Sequence, residues 1–415
     1  MLNPKTKQRE LAYVVKIDNI LPIEGADNVE QAVVGGWHIM VRKGQFKVGD
    51  YAVYFEIDSK VPQREPFMFL ASKHFKVKTQ KYFKGTVISQ GLLMSFQDFD
   101  ANGGTPACIV GANATLASRD LAGKDPLEEP IFLTKELGVT YAVEEDNKRK
   151  SNITKYDKMY QRHLKLFKKH KVLRKIFSYA WGKKILFIFL GKKRDTRNWP
   201  AWVIKTDEER VQNMPFLFPG DPDKKWIVTE KIDGTSTTFT MKGKGRKKEY
   251  YICSRNVNFD KPEKMDNCYY DTNVYLEMAE KYSIENILSD ILQKNSNLDF
   301  VTIQGETYGD GVQKRNYGLN NHQFMAFNLI YGYKDGTKKR FNPIEMTNIL
   351  KEYNLPCVPI LETITLPETM DEMIAYADGA SQIDGQLREG VVLRTLDGVE
   401  SFKSVSNNFL IKYHQ

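Results

Sequence analysis

The chain has 415 residues, 41% hydrophobic and 27% charged, with a formal net charge of +9. That length accommodates two or three domains with their own cores, and the balance is that of a globular chain rather than a collagenous or disordered one. The longest purely apolar run, Ile185 to Leu190, falls far short of the roughly 20 residues that span a bilayer, so no membrane partner is expected.

The four cysteines, Cys108, Cys253, Cys268 and Cys357, form no C-x-x-C pair. A zinc site or disulfide framework is therefore not expected, and a cytoplasmic or other reducing compartment is. The first ten residues are polar and lack the apolar core of a signal peptide. The positive excess favours a polyanionic partner.

Residues 8–96 read as short strands between turn signals: Leu11 to Ile17, Trp37 to Val41, Tyr51 to Phe55, and one opening at Ser89. This pattern predicts a small barrel over 1–110. An OB fold is one such barrel and commonly binds single strands or nucleic-acid ends. Between Phe75 and Lys84, bases interleave with aromatics. Lys76, Lys78 and Lys81 are candidate phosphate contacts there, or else the lysines of a half-buried strand that protect its edge.

Residues 111–199 predict a basic, partly helical linker or insertion. Ala101 to Thr115, rich in Gly and Ala, reads as loop. Lys148 to Arg197 holds eighteen Lys/Arg against two Asp. Met159, Leu166, Leu173 and Ala180 recur every seven residues, as on a helix with one apolar stripe. Such a helix could lie on nucleic acid, an anionic membrane or a neighbouring domain. The charge excess favours nucleic acid, with Lys165, Lys168 and Lys169 as candidates. Ile185 to Leu190 reads as a buried strand.

Residues 200–415 alternate strands and helices, an α+β pattern. Predicted strands are Lys224 to Lys231, Glu249 to Ser254, Asp299 to Gly305, Phe324 to Ile330 and Gly390 to Thr395. Predicted helices are Asn273 to Lys294, Pro343 to Tyr353 and Pro367 to Asp378. The first strand ends in Lys231-Ile232-Asp233-Gly234. A strand-end amine followed by an acid and a glycine suits attack on a nucleotide phosphate, with the glycine allowing close backbone approach to the ligand. Alone, the tetrapeptide equally describes a solvated strand end and an Asp-Gly turn.

Further segments follow in order: Ser254-Arg255-Asn256, Gln304 to Gly309, Phe324 to Phe327, Glu389 to Arg394, and Phe402-Lys403. In that order and spacing the chain resembles the covalent nucleotidyltransferases, the polynucleotide ligases and mRNA capping enzymes. Lys205 to Asn213, which includes Arg210, looks like the entry segment of RNA ligases. The match is closest to ATP-dependent RNA ligases with an OB-fold domain ahead of the catalytic domain. It covers about 8–96 and 200–415.

The resemblance implies an N-terminal OB-like barrel and, over 200–415, two twisted sheets with the nucleotide between them. It implies ATP and a divalent metal, magnesium or manganese. Lys231 is the implied nucleophile, forming a lysyl-N-AMP, with Asp233 and Glu389 organising metal through waters. Lys403 is implied to neutralise the α-phosphate, with Lys412 a second candidate because the usual K-x-K is absent. Arg255 is implied at ribose or the incoming 5′ phosphate, Glu306 at a ribose hydroxyl and Phe327 on adenine. Glu230 and Ile232 would frame its edge, and Arg210 would join Arg255 in contacting RNA. Ile383-Asp384-Gly385 is a decoy with no lysine before it.

The expected reaction joins 3′-OH and 5′-phosphate RNA ends, such as those of a nicked duplex, in RNA repair by a monomer. A DNA ligase or capping guanylyltransferase is the alternative within the superfamily, and a non-catalytic RNA-end-binding protein the alternative outside it. The barrel-first order favours RNA ligase, because the other two place their OB module after the catalytic domain.

Overall fold

The computed structural model describes residues 1–100, 104–142, 170–190, 199–205, 207–243, 248–255, 257–259 and 273–413, together with Tyr156, Tyr160 and Phe167. The first part is a β-barrel. Its strands are β1 (Ala12–Lys16), β2 (Asn19–Pro22), β3 (Val29–Val34), β4 (Trp37–Arg42), β5 (Tyr51–Phe55), β6 (Ser59–Lys60), β7 (Thr79–Tyr82), β8 (Val87–Gln90) and β9 (Leu92–Met94). They pair antiparallel in the orders β1-β5-β9, β2-β3-β4 and β7-β8. Successive strand residues face opposite sides of a sheet, so β5 feeds two cores. Ala52 and Tyr54 face Trp37 and Ile39, while Val53 and Phe55 face Phe67 and Phe99.

That second core extends beyond the expected barrel. Of the stretch 101–115, read above as loop, residues 107–115 instead open the helix Ala107–Leu121, and 101–103 lie outside the described residues. Ile109, Ala112 and Leu116 recur at helical spacing and enter the core, followed by Leu133, Leu137 and Val139. The alanines favour a helix, and one internal glycine costs only about 1 kcal/mol. Strand β10 (Thr140–Tyr141) then pairs with β6. The line drawn at residue 110 thus falls inside a helix that packs with the barrel.

The basic region contains the helices Lys171–Ser178 and Ala180–Leu190, separated by an extended Tyr179. The run Ile185 to Leu190 is therefore helical, not a strand; a short apolar run alone does not distinguish the two. Leu173, Ile176 and Phe177 pack with Phe167 and Leu186. The seven-residue stripe ends at the break, beyond which Ala180 is exposed. Met159 and Leu166 lie outside the described residues. No helix among the described residues is long and apolar enough to cross a membrane.

The remainder forms two antiparallel sheets. One has the order β17-β11-β18-β19 and the other β13-β12-β14-β15-β16. Their strands are β11 (Trp226–Lys231), β12 (Thr235–Lys242), β13 (Glu249–Ser254), β14 (Leu298–Gly309), β15 (His322–Tyr333), β16 (Lys338–Arg340), β17 (Ile360–Ile364), β18 (Gly390–Thr395) and β19 (Ser401–Val405). The helix expected from Asn273 to Lys294 is two helices, Val274–Lys281 and Ile284–Lys294, parted by left-handed Ser283. They cover the five-stranded sheet through Met278, Leu288 and Ile291. Helix Met370–Ala377, closed by a Thr369/Glu372 capping box, covers the four-stranded sheet through Met373.

The barrel is docked on this second unit. The Leu2 amide donates to the Asn213 carbonyl at 2.6 Å. Lys81 Nζ donates to the Ile411 carbonyl at 2.7 Å, in the helix Asn407–Tyr413. Gly36, in the β3–β4 turn, abuts Ile374 so closely that a Cβ would lie 2.2 Å from its methyl.

Candidate active site

Strand β11 ends at Lys231, and Ile232 to Gly234 carry the chain from the first sheet to the second. Register then assembles the remaining groups. Lys231 pairs with Gly390, which sets Glu389 beside it, and Val392 pairs with Lys403 on β19. In the facing sheet Ser236 pairs with Glu306. Phe327 lies on β15, and Arg255 follows β13 directly. Together with Glu230, Ile232 and Asp233 these side chains line one cleft of about 390 Å³.

Gly234 has a tighter reason than ligand approach. A Cβ there would lie 2.3 Å from the Thr307 carbonyl and 2.9 Å from Glu306 Cγ. The glycine lets the turn cross under β14, which brings Asp233 towards Glu306. The Asp233 amide donates to the Tyr317 hydroxyl at 2.7 Å, and Gln313 donates to the Gly234 carbonyl at 2.9 Å.

The electrostatics set one amine against the other. Lys231 Nζ donates to Glu389 Oε2 at 2.7 Å. Burial works against its charge, but Glu389, Glu306 and Asp233 outweigh burial and hold the amine above its ordinary value. The amine held low in this cleft is Lys403 instead. Burial, helped by Lys231 and Arg210, brings Lys403 down to about 8. Burial also raises Asp233 to about 7, with Glu389 adding to the rise. It raises Glu306 to about 8; Lys231 opposes this, while Glu389 and Asp233 add to it. Three carboxyls therefore crowd one ammonium, an arrangement that a divalent cation relieves.

Asp233 and Glu389 fit such a cation through water. No group of three or more His, Cys, Asp or Glu that could hold a metal occurs among the described residues. Phosphate oxygens and waters would have to complete the shell, as is usual for magnesium.

Other expected residues are placed differently. The Glu230 carboxylate accepts from Ser381 Oγ at 2.5 Å and from the Gln382 amide at 2.8 Å. It anchors the loop of the decoy Ile383-Asp384-Gly385, whose Ile383 joins Ile232, Val358 and Phe327 in the apolar side of the cleft. Lys412 is exposed on the last helix, its ammonium 5.0 Å from the Tyr413 ring, and does not line the cleft. Arg210 sits 5.8 Å over the Trp37 ring of the barrel, so its guanidinium serves the junction between the units. Lys78 is exposed, and Lys76 is half-buried between the core residues Phe75 and Val77. Lys81 is tied to Ile411. Lys165, Lys168 and Lys169 lie outside the described residues.

Several groups at the cleft were given no role from sequence. Asp207 pairs with Arg255 at 2.6 Å, both half exposed. Arg394 is buried against the Phe327 carbonyl at 3.2 Å and Asn328 Oδ1 at 2.7 Å, behind the ring expected to stack. Burial lowers it to about 9, Arg340 adding to the drop and Glu208 opposing it. Glu208 and Arg394 lie inside recognisable segments, but their partners are 66 to 193 residues away, which spacing does not reveal.

Two antiparallel sheets around a lysine-bearing cleft, behind an OB-type barrel, define a nucleotidyltransferase architecture. The sequence model of the RNA ligase family matches residues 224–414, and that of an OB-fold domain matches residues 11–96. No curated protein matches the chain. Among solved structures, a Naegleria gruberi RNA ligase variant with ATP and Mn is 24% identical at a TM-score of 0.61, covering 97% of this chain and 99% of its own. Another variant of that enzyme, with AMP and Mn, is 25% identical at a TM-score of 0.61, covering 98% and 99%. The same enzyme with PPi is 24% identical at a TM-score of 0.59. Residues 224–414 match the RNA ligase family with an OB-fold domain ahead of them, the arrangement of an RNA ligase enzyme.

Proposed function

We propose that this chain is an ATP-dependent RNA ligase that joins 3′-OH and 5′-phosphate ends through a lysyl-N-AMP on Lys231, acting in RNA repair. The observation that carries the proposal is the Lys231–Glu389 contact of 2.7 Å in a cleft shared with Lys403, Glu306 and Phe327. In the first step the Lys231 ammonium gives up one proton, its nitrogen bonds to the α-phosphorus of ATP as the bond to pyrophosphate breaks, and the nitrogen releases a second proton to solvent. Glu389 Oε2, already accepting a hydrogen bond from Nζ, is placed to take the first proton. Lys403 and Arg255 supply positive charge where the phosphate gains negative charge. A divalent cation near Asp233 and Glu389 would offset the carboxylates that keep Lys231 protonated.

AMP then passes to the 5′-phosphate, and the 3′-oxygen displaces it to form the phosphodiester. The half-exposed Arg255–Asp207 pair at the rim suits contact with the incoming end. The barrel is assigned to the polynucleotide, and a nicked duplex held by a monomer is the substrate form proposed.

The test is transfer of label from ATP, GTP or NAD to the chain in the presence of magnesium or manganese. ATP alone should label the wild type. Lys231→Ala and Lys231→Arg should not be labelled, since a guanidinium stays protonated and is a poor nucleophile. Label retained in either variant would overturn the assignment, and Lys403, the amine held low, would take its place. Among four nicked duplexes with RNA or DNA on each side, sealing should fall sharply only when the 3′-OH side is DNA. Equal sealing of the all-DNA nick would favour a DNA ligase.

A further inference from the structure

We propose that Arg315 is a positioning residue that fixes the Asp233 turn and the Glu389 segment relative to each other. The inference rests on the adenylylation reading above. Glu389 ends a stretch, 378–389, that has no strand or helix of its own and only one isolated bridge, Ala380 to Leu387. Such a stretch gains little from backbone ladders and depends on side chains for its position. Glu230 holds its start through Ser381 and Gln382. Arg388 holds it to the preceding helix, donating to the Ala377 carbonyl at 3.0 Å and the Tyr376 carbonyl at 2.6 Å.

Asp378 also accepts from Ser406 and Asn408, and the Glu389 carbonyl from the Ser406 amide; Arg315 supplies a further attachment and, through Tyr317, reaches the other catalytic segment. Its Nη2 donates to Asp384 Oδ1 and its Nη1 to the Leu387 carbonyl, each at 2.5 Å. Leu387 is two residues before Glu389. The guanidinium also stacks 4.1 Å from the Tyr317 ring centre, and the Tyr317 hydroxyl receives the Asp233 amide. One planar cation thus touches the Glu389 segment directly and reaches the Asp233 turn through Tyr317.

Two observations argue for position rather than surface charge. Arg315 is only 4% exposed, and it alternates with buried Val312 and Tyr317 in an otherwise exposed loop. Tyr317 has φ of +57°, a conformation that costs a bulky residue energy and persists only where its surroundings fix it. The fork of N–H donors is what the site uses; a lysine keeps the charge but loses that planar, two-pronged contact.

The experiment uses the full chain, with Arg315→Lys as the first variant and Asp384→Asn as the second. Four quantities are read: labelling rate at saturating ATP, half-saturating ATP, manganese binding in the presence of AMP by electron paramagnetic resonance, and melting temperature. Arg315→Lys should lower the saturated rate by about tenfold to a hundredfold, because small displacements of reacting groups are costly. Manganese binding should weaken several-fold, while half-saturating ATP stays within about threefold of the wild type. Asp384→Asn should move the same readouts in the same direction by less. A wild-type rate and wild-type manganese binding in Arg315→Lys would overturn the proposal. So would losses in both variants that merely follow a fall in melting temperature. A wild type that takes label from no nucleotide would overturn the adenylylation reading, and the positioning role with it; a labelled wild type with an equally labelled variant would overturn only the latter.

Discussion

At the scale of residues, the cleft stores opposing charge in close quarters. Glu306 and Asp233 are raised to about 8 and about 7, so the folded protein binds protons there that the unfolded chain would release at lower pH. Their contribution to stability is therefore full below the unfolded carboxyl values near 4 and is lost as pH rises through 7 to 8. Lys403 runs the other way. Held down to about 8, it contributes stability that is present above the ordinary lysine value and lost as pH falls through about 8. Glu306→Gln, which removes one of the crowded acids, should raise the melting temperature of the ligand-free protein by a few degrees at pH 8.5 and by much less at pH 5. An equal gain at both pH values would show that Glu306 is not the proton-binding group. The same substitution should slow labelling by ATP if the carboxylate holds a ribose hydroxyl.

At the scale of elements, the motif-bearing strands were the legible part. Glu249–Ser254 and Gly390–Thr395 were bounded correctly from sequence, and β11, β14 and β15 differ only at their ends. Their apolar runs are flanked by turn residues, and their ends carry the chemistry. The strands that escaped notice lack such a run. Thr235–Lys242 alternates threonine with Phe239 and Met241, and Ser401–Val405 is half polar; each is a strand because a neighbour offers a ladder. Glu230 lines the cleft while its carboxylate also holds Ser381 and Gln382, and Lys412, the second candidate, lies on the last helix outside the cleft lining; adjacency in sequence does not say where a side chain turns. The Lys231-Ile232-Asp233-Gly234 turn is where local sequence and long-range packing meet. Gly234→Ala would press a methyl into the Thr307 carbonyl, a strain of about 1–3 kcal/mol. It should lower the melting temperature and sharply slow labelling, with little effect on polynucleotide binding by the barrel.

At the scale of the whole molecule, the barrel and ligase units meet along a seam of small contacts. Gly36, at φ of +74°, sits against Ile374 and Met370, and Arg210 leans on Trp37. At Gly36 the seam rests on the helix Met370–Ala377, and at Arg210 it comes close enough to the cleft to act on Lys403. Gly36→Val should wedge the units apart, because a side chain meets both the left-handed backbone and the Ile374 methyl there. Labelling by ATP should stay within about twofold, while sealing of pre-adenylylated nicked RNA should fall severalfold. A parallel fall in both reactions would mean that the barrel's seat supports the first step too.

The four-stranded sheet has a consequence for how the protein comes into being. Strand β11 is held centrally by β18 and β17, so residues 226–231 pair with partners 131 to 169 positions later. During synthesis the lysine emerges from the ribosome long before Glu389 and Lys403 do, and contacts so distant in sequence form late. For most of its time as a nascent chain the protein therefore carries the proposed nucleophile in an unassembled setting. The cleft is complete only when nearly the last strand arrives, so a prematurely terminated chain would carry Lys231 without Glu389 and Lys403 beside it.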